Sequence, residues 1–337
     1  MVLWLGIILP IVAILVLATF LVWAACVVLY FACPHVLSHL IHRFLILRGG
    51  FTLKYVSVGD FRFSYIERGN GQGAENVVLM VHGFTGDKGV WSLVGNVFPK
   101  TYHLIAVDLP GHGYTTRKHH DDHSIPAQVA KLHQFVVAIG LNKRKFHLVG
   151  LSMGGFVAGV FAVRYSFLLS SLVLMCPAGI NAPKLSDFLS EMASGGKNYL
   201  LPKTPEDFYF MLKKVSHREV AMPFFVVKIM CAARQESHDF YEKGSVNIQN
   251  KTSSTNPLVW CWEWGHFLVL NNQVGLMYKD TVLKVILDIS AVDIIREKVK
   301  DCQIQILDRC GHAITLERPW KSGKLIFQFI HSLPQSG

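Results

Sequence analysis

From Val2 to Cys33 the chain contains no Asp, Glu, Lys or Arg, and most of the run is Leu, Ile, Val, Ala, Phe or Trp. A helix needs roughly 20 apolar residues to cross a bilayer core, so the run is long enough to span with tilt. Pro10 near its start is tolerable in a membrane helix. No Lys or Arg precedes the run, and it exceeds the short apolar core of a cleaved signal peptide, so an uncleaved anchor over residues 1–33 is expected. Also missing are a dense Lys/Arg stripe, an RNA-binding signature and zinc-ligand spacing. Nucleic acid is therefore not an expected partner, and no cofactor or metal is expected. Charged residues make up only 17% of the 337-residue chain, against 51% hydrophobic. No internal repeat is visible.

The flanking charges set an expected orientation. Arg43, Arg48 and Lys54 follow the apolar run, with His35, His39 and His42. By the positive-inside rule, the large C-terminal part faces the cytosol. Seven cysteines, an odd number, agree with a reducing compartment. The sequon Asn250-Lys251-Thr252 would matter only on a lumenal domain and carries little weight. The net charge of +10 permits attraction to anionic leaflet lipids, so the bilayer is an expected partner.

Residues 34–50 form a juxtamembrane segment. Pro34 to Arg48 mixes apolar residues with His and Arg and reads as an amphipathic helix at the interface, with Pro34 in its first turn. Residues 51–67 read as two short strands. Val77–Val81, His103–Val107, Phe146–Val149 and Ser171–Met175 then recur as short apolar runs that end at His82-Gly83, Asp108, Gly150 and Cys176-Pro177. Runs this short and apolar throughout are buried parallel strands. With helical segments between them, such as Ile125–Ile139, they predict a doubly wound, mostly parallel α/β sheet. Its ligand crevice would lie beyond the C-terminal strand ends. The core is expected over 51–180 and again over 286–337, where a helix from about Asp288 to Lys300, a strand at Gln303–Leu307 and a helix near Trp320–His331 are read. Residues 181–243 look like a helical cap, and 244–285 are atypical.

The chemistry concentrates at Gly150-Leu151-Ser152-Met153-Gly154, a G-x-S-x-G nucleophile-elbow pattern. It follows an apolar strand and precedes a helix, the context the pattern needs. Ser152 is the candidate nucleophile. Backbone N–H groups of Met153 and Phe84 are candidate oxyanion donors, Phe84 because His82-Gly83-Phe84 follows an earlier strand end. His82 reads as a turn residue, and Asp108 as a structural residue that binds nearby backbone N–H groups. Of the 16 histidines, His312 is singled out as general base: it follows the strand at 303–307, in Cys310-Gly311-His312.

His82-Gly83-Phe84, Asp108 to Gly113, Gly150 to Gly155, Cys176 to Gly179 and Cys310-Gly311-His312 with Glu317-Arg318-Pro319 resemble the α/β-hydrolase family, most closely its single-pass, membrane-anchored monoacylglycerol lipases. The resemblance implies an α/β-hydrolase fold with a helical cap, preceded by one transmembrane helix. It implies hydrolysis of a monoacylglycerol or related lipid ester by a cytosolic catalytic domain. It places the nucleophile on Ser152, the base on His312 and the oxyanion donors on Phe84 and Met153. The likeness fails over residues 244–285, where the family's charge-relay Asp should lie. Counting back from Leu287-Asp288 puts that position on Lys284; counting on from Trp264-Gly265 also meets no carboxylate. Asp288 is the favoured acid because it adjoins the matching segment, with Asp280 as the alternative; Asp288 could equally cap the following helix. If residues 244–285 kept the seventh strand from forming, the protein would be a catalytically impaired or non-catalytic lipid-binding or scaffold homologue. Thioesterase and C–C bond hydrolase activities stay open. Epoxide hydrolases resembling this fold use Asp as nucleophile, which Ser152 argues against.

Overall fold

The computed structural model describes residues 2–69, 71, 73–74, 76–118, 120–180, 190, 194, 197–217, 222–242, 274–279, 294–297, 302–307 and 309–333. The charge-free run forms one helix, α1 (Val2–Ala32), near the N-terminus, apolar and long enough to cross a membrane. Its 31 residues give roughly 45 Å. After Cys33 a second helix, α2 (Pro34–Arg48), starts with proline in its first turn, where the missing N–H costs nothing.

Among the described residues eight strands follow in one sheet: β1 (Thr52–Val58), β2 (Phe61–Arg68), β3 (Asn76–Val81), β4 (Tyr102–Val107), β5 (Phe146–Leu151), β6 (Leu169–Met175), β7 (Val274–Lys279) and β8 (Gln303–Leu307). Their spatial order is β1-β2-β4-β3-β5-β6-β7-β8. The hairpin β1–β2 and the pair β2–β4 are antiparallel; every other pair is parallel. Parallel strands need crossovers that cover both faces, so β4 and β5 are buried throughout. Alternate residues go to opposite sides. Leu79, Ile105, Leu148 and Leu172 face a core with α4 (Ile125–Ala138) and α5 (Met153–Arg164). Met80, Ala106, Val149 and Val173 face the other core, with Val94 of the short helix α3 (Ser92–Gly95) and residues 326, 329 and 330 of the C-terminal helix.

Two further helices, α6 (Pro205–Val215) and α7 (Phe224–Gln235), fall within the expected cap stretch 181–243; the rest of that stretch lies partly outside the described residues. The α6 start is capped by Thr204, whose hydroxyl accepts from Asp207 N–H at 3.1 Å. After β8 come α8 (Ile314–Glu317) and α9 (Pro319–Ser332). Of the helix expected over Asp288–Lys300, residues 294–297 are described and helical.

Within residues 244–285, read as atypical, lies a strand: β7 pairs in parallel with β6 (Leu174↔Leu276) and with β8 (Leu276↔Ile304). Val274-Gly275-Leu276-Met277-Tyr278 lacks a closing Gly or Pro, so it does not stand out from its apolar surroundings as a strand would.

The sheet is cross-linked by a buried histidine. His147 on β5 reaches Asn76 Oδ1 on β3 through Nε2 (2.9 Å) and Ser171 Oγ on β6 through Nδ1 (2.7 Å). With the amide oxygen as acceptor, Nε2 carries the proton and Nδ1 accepts from the hydroxyl, so the bridge needs the neutral ring. Burial lowers its pKa from 6.5 to about 4, helped by Arg144. An unfolded chain takes up this proton below 6.5 and the folded chain only near 4, so stability is intact above 6.5 and falls as pH drops between the two values. The loss should total about 3 kcal/mol, and a His147→Gln variant should lose that part of the pH dependence; unfolding midpoints from pH 7 to pH 4 check it.

Candidate active site

The sheet register puts the C-terminal ends of β3, β4, β5 and β6 along one edge: Val81 lies opposite Val107 and Gly150, and Gly150 opposite Leu174. At that edge the chain leaves β5 and enters α5 through Ser152, whose φ of +55° and ψ of −118° are unusual for a residue with a side chain. Such a conformation costs on the order of 1–3 kcal/mol and holds only where the surroundings impose it. Here Ser152 N–H donates to Met175 O at 2.9 Å, and Ser152 O accepts from Ala178 N–H at 2.9 Å, fixing the residue from both sides. The flanking glycines are required by space. A Cβ on Gly150 would lie 2.7 Å from Ala158 Cβ, one on Gly154 would run into the Val81 and His82 carbonyls, and one on Gly155 would lie 2.8 Å from Pro177 Cβ.

The turn after β3 passes beside Ser152: a Cβ on Gly83 would sit 3.1 Å from Ser152 Cβ. Phe84 is the next residue, and Met153 is the first of α5, where backbone N–H groups lack an intrahelical acceptor. His82 holds this turn. It is fully buried, its Nδ1 meets Gly83 O at 2.8 Å and its Nε2 accepts from Leu109 N–H at 3.0 Å, which defines a neutral tautomer protonated on Nδ1. Burial keeps its pKa below the ordinary range. Below it lies a buried ion pair, Lys88 Nζ to Asp108 Oδ2 at 2.5 Å. Asp108 also accepts from Lys88 N–H at 2.7 Å and Tyr114 N–H at 2.9 Å. Asp108 therefore binds backbone N–H groups, as read from the sequence, and takes Lys88 as a partner that the sequence did not reveal.

His312 arrives from the other side. Its Nε2 lies 2.9 Å from Ser152 Oγ, across 160 residues of chain. That distance suits proton transfer from hydroxyl to imidazole. Ser152 and His312 are both partly exposed, so a substrate can reach them. Asp288 and Asp280 lie outside the described residues.

The loop that carries His312 is held by a carboxylate that the sequence analysis noted only as part of a motif. Glu317 Oε1 accepts from Gly311 N–H at 2.8 Å, and Glu317 Oε2 accepts from His217 N–H at 2.9 Å. Ala313 N–H donates to Val215 O at 3.0 Å. The loop is thereby locked to the end of α6. The contact is tight: a Cβ on Gly311 would lie 2.6 Å from Glu317 Oε1. The only sequence signal was an acid a few residues after the histidine, which many helix starts share. Hydrogen bonds to a charged acceptor are worth about 1.5–3 kcal/mol each. Glu317→Ala should therefore loosen His312 and lower the rate of Ser152 acylation about tenfold or more, with Glu317→Gln intermediate; single-turnover labelling by a fluorophosphonate measures it.

Comparison with known proteins agrees with this geometry. A family model described as the alpha/beta hydrolase fold matches residues 76–269, more than half of the chain. Monoacylglycerol lipase abhd6-A of Xenopus laevis is 38% identical over 290 residues, covering 84% of this chain and 83% of that protein. Monoacylglycerol lipase ABHD6 of Homo sapiens is 36% identical over the same coverage. Among solved structures, a membrane phospholipase A described as a bacterial virulence factor superposes with a TM-score of 0.79 at 25% identity, covering 94% of this chain and 97% of the other. Fold, nucleophile turn and sequence likeness agree: the chain belongs to the α/β-hydrolase family.

Proposed function

We propose that the protein is a membrane-anchored serine hydrolase that cleaves monoacylglycerols and related lipid esters. The observation that carries the reading is the approach of His312 Nε2 to Ser152 Oγ at 2.9 Å on a strand-to-helix kink. His312 takes the proton from Ser152 as its oxygen attacks the ester carbonyl. Phe84 and Met153 N–H groups stabilise the oxyanion, and His312 returns the proton to the departing glycerol oxygen. A water activated by His312 then releases the fatty acid. The substrate class is supported by the curated relatives, which are monoacylglycerol lipases over most of their length. α1 supports drawing that substrate from a bilayer, and the cationic residues after it support a cytosolic catalytic domain.

For the third member of the triad, the strand register favours Asp280. β7 runs parallel to β6 and β8 and ends at Lys279, level with Leu307 at the end of β8. The chain thus leaves β7 at the edge that carries Ser152, and Asp280 is the next residue. Asp288 lies further along the chain, with a helix cap as its alternative role.

Losing the acid of such a triad lowers turnover roughly 10⁴-fold and leaves a slow residual rate. Asp280→Asn should show that loss and Asp288→Asn should stay near the parent rate; the opposite pattern returns the role to Asp288. A fluorophosphonate should label the protein, Ser152→Ala should abolish the label, and fatty acid should be released from a monoacylglycerol in vesicles. Folded parent protein that takes no label would falsify the hydrolase reading.

A further inference from the structure

The polarity of α2 is inverted relative to a helix on a water-soluble domain. Its histidines face the protein. His39 meets Tyr114 Oη at 2.6 Å and Glu236 Oε2 at 3.1 Å, His42 Nε2 pairs with Asp87 Oδ1 at 2.9 Å, and Ile46 is buried. These positions recur at helical spacing on one side. The opposite stripe, Val36, Leu40, Phe44 and Leu47, points outward, with Phe44 62% and Leu47 59% exposed. A soluble helix does the reverse, so this one is built for an apolar medium outside and a polar surface inside.

The stripe continues onto the cap. α7 packs against α2 and begins with Phe224 and Phe225, 50% and 55% exposed. Lys228, one turn on and on the same side, lies 4.8 Å from the Tyr30 ring and 5.6 Å from the Phe31 ring at the end of α1. The first turn of α7 is therefore level with the point where α1 ends. Exposed Arg43 and Arg48 flank the stripe with charge suited to lipid phosphates.

We infer that the outer stripe of α2 and the first turn of α7 form a second membrane contact that inserts into the leaflet from which α1 emerges. This rests on the reading of α1 as an embedded span, and it adds that the cap itself touches lipid. The occupant is the bilayer because the stripe is continuous with the α1 exit and rimmed by arginine. The consequence is an entry route: after α7 ends at Gln235 the chain turns and runs on to Phe240 and Tyr241, and Tyr241 packs edge-on against Phe84 at the oxyanion turn. A monoacyl lipid can pass from the leaflet along the cap towards Ser152 without crossing bulk water.

The full-length protein in phosphatidylcholine vesicles, treated with a carbene-generating apolar photoprobe dissolved in the bilayer, tests this by peptide mapping. Label is expected on peptides from α1, α2 and the first turn of α7. Label on α1 alone overturns the docking surface and leaves the anchor standing; no label on α1 removes the anchor reading and the inference with it. The double variant Phe44→Asp, Phe225→Asp gives a second reading. It should keep the parent rate on a soluble short-chain ester and lose about tenfold or more on monoacylglycerol in vesicles. An unchanged vesicle rate overturns the inference, as does a patch unlabelled in vesicles together with a variant that converts a dimer to a monomer, which would make it a self-association face.

Discussion

The chemistry depends on one backbone constraint: Ser152 is held at positive φ on the turn between β5 and α5. The positive φ aims Oγ out of the sheet edge and starts a helix at Met153. It survives because its neighbours are small enough to crowd it. Gly150 and Gly154 let the turn close on itself, Gly83 lets the turn after β3 slide past Ser152, and Pro177 packs on Gly155. A methyl group at these glycines would have to displace backbone, so the strain on Ser152 is balanced by close packing around it rather than by a single strong bond.

Around this point the molecule fixes polar groups by buried hydrogen bonds. His82, Asp108 and Lys88 form one connected set beneath the Gly83 turn, each satisfied by a named partner. A buried ion pair is not in itself a source of net stability, since desolvation offsets most of its attraction. What it supplies here is position: Asp108 ties the turn after β4 to the segment after β3, through Lys88 N–H and Tyr114 N–H. Glu317 has the same role for the loop that carries His312. Two N–H donors on one carboxylate fix both the place and the direction of the Gly311 backbone, and so of His312.

Much of this was legible in the sequence because it rests on local pattern. The parallel strands show as short apolar runs, β3 to β6, each closed by a turn residue. Ser152 shows because its elbow needs small residues at fixed offsets, and His312 because it follows the last strand. What stayed hidden depends on distant contacts. Nothing local marks Lys88 as a buried partner of Asp108, or Glu317 as the clamp on Gly311 and His217. β7 was missed because its segment lacks the glycine or proline that closes the other runs. The helix at Pro34–Arg48 was legible as amphipathic, but which face meets the protein was not. Histidine is compatible with water or with a carboxylate of the domain, and only Asp87 and Glu236 decide between them.

The contacts of α2 also join that helix to the turn after β3 beside Ser152. His42 pairs with Asp87, which lies at the end of the same short loop that begins at Gly83, where Gly86 N–H closes on Gly83 O at 3.1 Å. His39 pairs with Glu236 at the end of α7, and from there the chain reaches Tyr241 and its contact with Phe84. α2 thus holds the Gly83–Asp87 loop directly, and the stretch leading to Tyr241 at Glu236, through polar contacts on its inner face. Its outer face carries exposed Leu40, Phe44 and Leu47. The directional contacts of His39 and His42 fix where α2 sits on the domain, whereas an apolar inner face would have allowed sliding. In the membrane-anchored hydrolase proposed above, directional contacts inside and non-directional ones outside would keep the mouth aligned while the anchor moves in a fluid bilayer.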